Sequence, residues 1–254
     1  MNDLFSRAVS SMQGLPPELL WPVMLVVCFS AVLALHRLFG EAGLYAYVAV
    51  SVLGANVQVL KAVKFAVYPE PVALGTVMFA SSYLATDILA EHYGSAAARK
   101  GVFLGFASYL IFTVVMLLTL GFAPLTPEQA GDDMAWAVAN HDHLAAIFMH
   151  SPALFAAGMI AYLTSQLHDV WLFGRLKKAF AGRWLWLRNN ISTAVSALID
   201  NTLFSILAWI VFAADPLPFA TVFWVYILGT YWLRLLVALL DTPFVYLARR
   251  WSPA

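Results

Sequence analysis

Residues 101–127 read GVFLGFASYLIFTVVMLLTLGFAPLTP, 27 consecutive residues without a formal charge between Lys100 and Glu128. A helix needs about 20 apolar residues to cross the hydrocarbon core of a bilayer, and this run exceeds that length. The pattern recurs on both sides of it. Uncharged runs of 18, 19 and 16 residues lie between Glu18 and Arg37, Glu41 and Lys61, and Glu70 and Asp87. Further runs of 26 and 18 residues lie between Asp142 and Asp169 and between Asp215 and Arg234. From Arg188 to Asp215 the only charge is Asp200. The spacing predicts an all-α polytopic membrane protein with about seven spans, at residues 19–40, 43–67, 72–91, 100–122, 151–173, 191–213 and 219–248. All fall in one transmembrane domain covering residues 1–254. Alternating ten-residue segments are absent, which argues against a transmembrane barrel.

Composition agrees. Of 254 residues, 62% are hydrophobic and 11% charged, whereas a soluble domain carries about 25% charged residues. This excludes a soluble enzyme, a secreted scaffold and a disordered regulator. Fourteen Lys and Arg balance fourteen Asp and Glu, so net charge indicates no nucleic-acid partner. The single cysteine, Cys28, rules out an internal disulfide framework and a multi-cysteine metal site. No P-loop, nucleophile elbow, HExxH or Gly-rich dinucleotide signature occurs, so neither enzyme chemistry nor a cofactor is expected.

Orientation follows from the basic residues. Arg37, Arg99, Lys100, Arg175, Lys177, Lys178, Arg183, Arg188, Arg249 and Arg250 fall on one side if the spans alternate. Glu70, Glu128, Asp132, Asp133, Asp142 and Asp215 fall on the other. The N-terminus is therefore expected outside and the C-terminus in the cytoplasm. Span 19–40 starts too late, and has its basic residue on the wrong flank, to be a signal peptide. The long external connection 123–150 reads as an interfacial helix or lid. His141, Asp142, His143 and His150 within it read as a wet surface, because an i,i+2 His pair points to opposite helix faces. Trp184 and Trp186, beside Arg183 and Arg188, read as an interfacial aromatic belt.

Polar residues inside the spans carry the functional signal, because a charge at the bilayer centre costs about 2.5–3.5 kcal/mol on insertion scales. At 100° per residue, Asn189, Thr193, Ser196 and Asp200 form one stripe. Thr76, Tyr83, Asp87 and Glu91 form a second; Tyr162, Gln166 and Asp169, with Ser165 beside them, a third; Thr230, Arg234 and Asp241 a fourth. In span 43–67, Asn56 faces away from Gln58, Lys61 and Lys64. Any one of these residues could be structural, for example as an Asp200–Arg234 ion pair. Four converging stripes describe a hydrated cavity.

Four blocks carry a resemblance: ATDILAEHYGSAAARK (85–100), SQLHDVWLF (165–173), LWLRNNISTAVSALIDN (185–201) and LLVALLDTPFVYL (235–247). In this order they resemble the queuosine precursor transporter family, grouped with vitamin-uptake transporters and related to substrate-binding components of energy-coupling-factor transporters. The resemblance runs from about Leu33 to Leu247 and implies a six-helix core with an extra N-terminal helix. The family's polar positions correspond to Asn56, Lys61, Thr86, Asp87, Glu91, Gln166, Asp169, Asn190, Ser192, Thr193 and Asp200. The chain departs from the pattern at Ala197 (usually Gln), Asn201 (usually Thr) and Arg234 (usually Lys), the last keeping the charge but not the shape.

The resemblance implies an importer of 7-deazaguanines such as preQ0, preQ1 or queuine, in the bacterial cytoplasmic membrane, serving queuosine salvage. Such a base offers N–H donors along its pairing edge, which a carboxylate accepts together; its O6 side needs a donor and its face an aromatic ring. Asp200 or Asp87 suits the first role; Asn56, Gln166, Asn190 or Arg234 the second; Tyr83 or Tyr162 the third. Without an ATP-binding motif, movement is either facilitated diffusion or coupling to an ion gradient. Two alternatives stand beside this reading: a substrate-binding subunit docking on an ATP-driven module, and a non-transporting membrane receptor. A homodimer is left open.

Overall fold

The computed structural model describes residues 2–66, 68, 71–149 and 152–251; Glu70, His150 and both chain ends, which figured in the sequence reading, lie outside the described residues. Ten α-helices follow one another: α1 (Asn2–Gln13), α2 (Pro17–Gln58), α3 (Thr76–His92), α4 (Ser95–Leu120), α5 (Pro127–Ala130), α6 (Ala135–Phe148), α7 (Pro152–Ala179), α8 (Leu185–Ile206), α9 (Phe219–Thr221) and α10 (Gly229–Arg250). Among the described residues, four helical stretches are long and apolar enough to cross a membrane: Pro17–Gln58, Ser95–Leu120, Leu185–Val211 and Phe219–Arg250. The protein is an all-α, multi-pass membrane protein. Its surface is inverted relative to a soluble domain. Val23, Val27, Ile111, Leu118, Trp224 and Trp232 point outward, while Ser82, Thr86, Asp87, Gln166, Asp169 and Ser192 are buried.

The expected spans 19–40 and 43–67 are two arms of α2, which reverses at Gly40 (φ 57°, ψ −131°). A positive φ of this kind suits glycine, which has no Cβ to clash. The arms run antiparallel: Gln58 Nε2 meets Met24 Sδ at 3.8 Å, and the Ala66 amide donates to Glu18. They close tightly at Gly43, where a Cβ would stand 2.2 Å from the Leu35 carbonyl oxygen.

The second arm stops at Gln58, nine residues short of the expected residue 67. Beyond it Lys61 and Lys64 are solvent-exposed. Ala62–Val63 pairs with Val72–Ala73 as a two-stranded antiparallel ribbon. Pro71, which has no N–H to give a helix, delays α3 to Thr76. Also unforeseen is α1, whose Leu4, Phe5, Val9 and Met12 are exposed, the apolar side of an interfacial helix. Expected span 191–213 starts earlier, at Leu185, and passes into a π-helix at Leu207–Val211; a second π-helix, Val222–Leu228, leads into α10.

Helix α3 is the axis of the molecule. At 17 residues it is about 26 Å long, short of a ~30 Å core, and Ser81–Ala90 is buried throughout. It packs against α2, α4, α7 and α10. At one end of the bundle, Arg37 stacks on Trp251, Lys100 on Tyr45, and Lys177 and Arg188 reach Glu91. This is the basic end. The ribbon, α5, α6 and both π-helices occupy the opposite end.

Candidate functional site

A cavity of about 320 Å³ opens between the ribbon, α6 and the two π-helices, within the size range of small-molecule sites. The second arm of α2 contributes Asn56, and the start of α3 contributes Thr76 and Phe79. Helix α8 and its π-turn supply Asp200, Asn201, Phe204, Ser205 and Trp209; Tyr226, Thr230 and Arg234 come from the last helix. Ile147 and Phe148, at the end of α6, close over it, with Phe148 against Phe112 at a ring separation of 5.5 Å. No residue of α6 is buried, these two included.

The polar focus of the wall is Asp200 with Arg234. Arg234 Nη1 donates to Asp200 Oδ2, and Ser165 Oγ donates to Asp200 Oδ1 at 3.0 Å. Both charged side chains remain partly exposed, at 14% and 16%. A carboxylate has roughly four lone-pair sites and a guanidinium five N–H donors, so both retain capacity for a ligand. Asn201 is spent otherwise: its amide donates to the Ile227 carbonyl at 3.2 Å and to Thr230 Oγ1 at 2.9 Å. The π-helix explains the first bond, because widening the turn frees a backbone carbonyl, and π-turns recur at functional sites for this reason. Trp209 and Tyr226 face each other from the two π-helices, with ring centroids 5.0 Å apart.

The sequence-predicted residues divide into three groups. Asn56, Asp200 and Arg234 line the cavity. A second group lies deeper, in the core. Tyr83 is buried and donates to Ser165 at 3.0 Å, and Tyr162 donates to the Val102 carbonyl at 3.3 Å. Gln166 donates to Ser82 and accepts from Thr86, tying α7 to α3. Thr193 donates to Asp87 at 3.4 Å; Asp169 is fully buried. A void of about 10 Å³, lined by Tyr83, Thr193, Arg234 and Asp241, separates this layer from the cavity.

The third group is peripheral. Glu91 is bound at the basic end by Arg188 (2.9 and 3.1 Å) and Lys177 (3.0 Å). Asn190 donates to the Trp186 carbonyl and to Thr242. Lys61 is exposed on the segment leading to the ribbon.

The aromatic surfaces of the cavity are therefore Phe79, Phe204, Trp209 and Tyr226, none of which stood out in the sequence. Helical spacing carried a signal for three of them. Trp209 follows Ser205 by four residues, Tyr226 precedes Thr230 by four, and Phe79 lies three after Thr76. Arg188, read as a loop cation, is wholly buried. It shares an i,i+4 face with Ser192 and Ser196, which would have marked it as inward-facing.

The sequence profile of a family described as "Putative vitamin uptake transporter" matches residues 73–248. A "Probable queuosine precursor transporter" of Bacillus subtilis (strain 168) is 34% identical over 236 residues, covering 92% of this chain and 95% of the relative. No solved structure matches.

Proposed function

From the premise that the chain belongs to the vitamin uptake transporter family, we propose that it imports queuosine precursors: 7-deazaguanines such as preQ0, preQ1 or queuine. The observation that carries this reading is the Asp200–Arg234 pair on the cavity wall. The carboxylate accepts from the donor edge of the base, and the guanidinium donates to its O6. The aromatic pair Trp209–Tyr226 suits the flat ring, and Asn56 offers a further amide on the facing wall. The name borne by the Bacillus subtilis relative supports the same substrate class.

In this reading the single transmembrane domain crosses a bacterial cytoplasmic membrane seven times. The two α2 arms, α3, α4, α7, α8 and α10 make the crossings, and α3 completes its passage through the ribbon. Ten of the fourteen basic residues lie at one end, which supports a cytoplasmic location for that end. The cavity then faces outward. The protein moves its substrate without chemical change and is no enzyme.

The test is growth and tRNA queuosine content in a precursor-auxotrophic bacterial host, with and without this chain, at limiting preQ0, preQ1 and queuine. Restoration of tRNA queuosine at limiting precursor is the expected result. No restoration by a chain shown to be in the membrane overturns the reading. Co-purification with two ATPases and a coupling subunit would instead make it a component of an ATP-driven carrier.

A further inference from the structure

Beneath the cavity, three carboxyls from three helices converge: Asp87 of α3, Asp169 of α7 and Asp241 of α10. All are buried, with exposures of 1%, 0% and 1%. Each of the three acts electrostatically on the others. None is used by the substrate site described above.

The layer has too many acceptors for its donors. Asp241 Oδ1 accepts from Asn189 Nδ2 at 2.8 Å, and Asp87 Oδ2 accepts from Thr193 at 3.4 Å. Among the described residues, both oxygens of Asp169, Oδ1 of Asp87 and Oδ1 of the fully buried Asn189 lack a close hydrogen bond; Ser192 and Ser196 stand beside Asp169, but their hydroxyls are engaged with the Asn189 carbonyl and with His168. The cations near this layer among the described residues are engaged elsewhere. On α10, Arg234 pairs with Asp200; on α8, Arg188 pairs with Glu91, as does Lys177 of α7. His168 of α7 bonds Ser196 through Nδ1. Tyr83 of α3 acts electrostatically on both Asp169 and Asp200. His36 of α2 and His92 of α3 face each other, rings 5.0 Å apart, toward the basic end.

Three carboxylates in a dry layer without a cation are prohibitively costly together, and the unmade hydrogen bonds on Asp87 and Asp169 add to the cost. A proton is the one ligand that removes a charge and supplies a missing donor at once. The distance to the cavity is short: Asp241 and Thr193 border the ~10 Å³ void, about the room one water needs, and Thr76 and Arg234 line both that void and the large cavity. From these observations we infer that Asp87, Asp169 and Asp241 form a proton-binding site that loads from the substrate cavity, making the protein a proton-coupled symporter. The inference rests on the deazapurine reading for its cargo. The hydrogen-bonded path Tyr83–Ser165–Asp200 joins the two sites: a cargo that engages Asp200 changes what Ser165, and through it Tyr83, can bond.

The test uses the full chain in proteoliposomes, with membrane potential clamped and labelled preQ0, which is uncharged, as the probe. An inward proton gradient is expected to accumulate preQ0 above its external concentration, and an uncoupler to collapse it. Asp169→Asn is expected to lose this response to the gradient. In weakly buffered detergent, the wild-type protein is expected to take up about one proton per preQ0 bound, a readout that requires no variant to fold. Equilibrative preQ0 exchange that ignores the proton gradient, or follows a sodium gradient instead, overturns the coupling alone. Absence of any preQ0 exchange overturns the substrate reading and the coupling with it. A folded Asp169→Asn protein that still accumulates preQ0 removes Asp169 from the site.

Discussion

Arg188 is wholly buried and grips Glu91 with both terminal guanidinium nitrogens, at 2.9 and 3.1 Å, while its cation lies 5.1 Å from the Phe173 ring centroid. Lys177 adds a third contact to the same carboxylate at 3.0 Å. The cavity and this cluster thus lie at opposite ends of α3. One end is open and lined by aromatic rings; the other is sealed by charge.

Glu91→Gln is expected to destabilise the protein by about 3–5 kcal/mol, because it leaves a buried guanidinium without its counter-charge. Replacing both Glu91 and Arg188 with alanine should recover part of that loss. Thermal unfolding of the purified variants in detergent checks this. Equal losses in the single and double variants would show that the pair contributes packing alone.

Asp200→Asn keeps the side chain's size and exchanges one acceptor for a donor. Loss of a charge-assisted pair with the base is expected to cost about 1.5–3 kcal/mol, roughly ten- to a hundredfold in affinity. Binding of preQ0 and thermal stability should be measured on the same preparation. Normal affinity in a folded variant would assign Asp200 to balancing Arg234 only.

A cysteine introduced at Asp132, which is exposed between α5 and α6, is expected to react with a membrane-impermeant reagent added outside sealed cells. The native Cys28 is buried and should give little background. Labelling that requires reagent on the cytoplasmic side would invert the orientation.

Gly43→Ala forces a methyl toward a backbone carbonyl that has no rotamer to move to. The arms of α2 must separate, at a cost of about 1–3 kcal/mol. A matched Gly→Ala change at Gly158, where a Cβ meets only Asn56 Oδ1 at 3.7 Å, should be tolerated. Comparing the two unfolding midpoints separates steric conflict from any general effect of adding a methyl.

The parts of this molecule that could be read from sequence are those with a strong periodic signal. The apolar run around Ile111 could belong only in lipid, and Asp200 and Arg234 stood out because a lone charge there is costly. Their pairing across α8 and α10 follows from the same cost. What periodicity does not encode stayed hidden. The reversal at Gly40 falls where one expected span ends and the next begins, but the ribbon pairing Ala62–Val63 with Val72–Ala73 carries no such signal. The π-turns at Trp209 and Tyr226 shift the helical phase, so a 100° wheel does not align these rings with Asp200. The stripes were real but covered two layers: Asp87 and Asp169 share the interior with Asp200 without sharing its cavity.

Helix α6, which buries none of its residues and meets the bundle at the cavity mainly through Ile147 and Phe148, sets a kinetic asymmetry. A single edge-to-face ring contact such as Phe112–Phe148 is worth about 0.5–1.5 kcal/mol, little more than thermal energy. The mouth is therefore expected to open on the nanosecond-to-microsecond scale of loops, and under the importer reading solute entry is expected to keep pace with diffusion. Under the same reading, turnover is expected to be metered at the far end, where Arg188 and Lys177 must part from Glu91 before anything leaves. A higher solute concentration on the cavity side would then fill the vestibule quickly without hastening the exit.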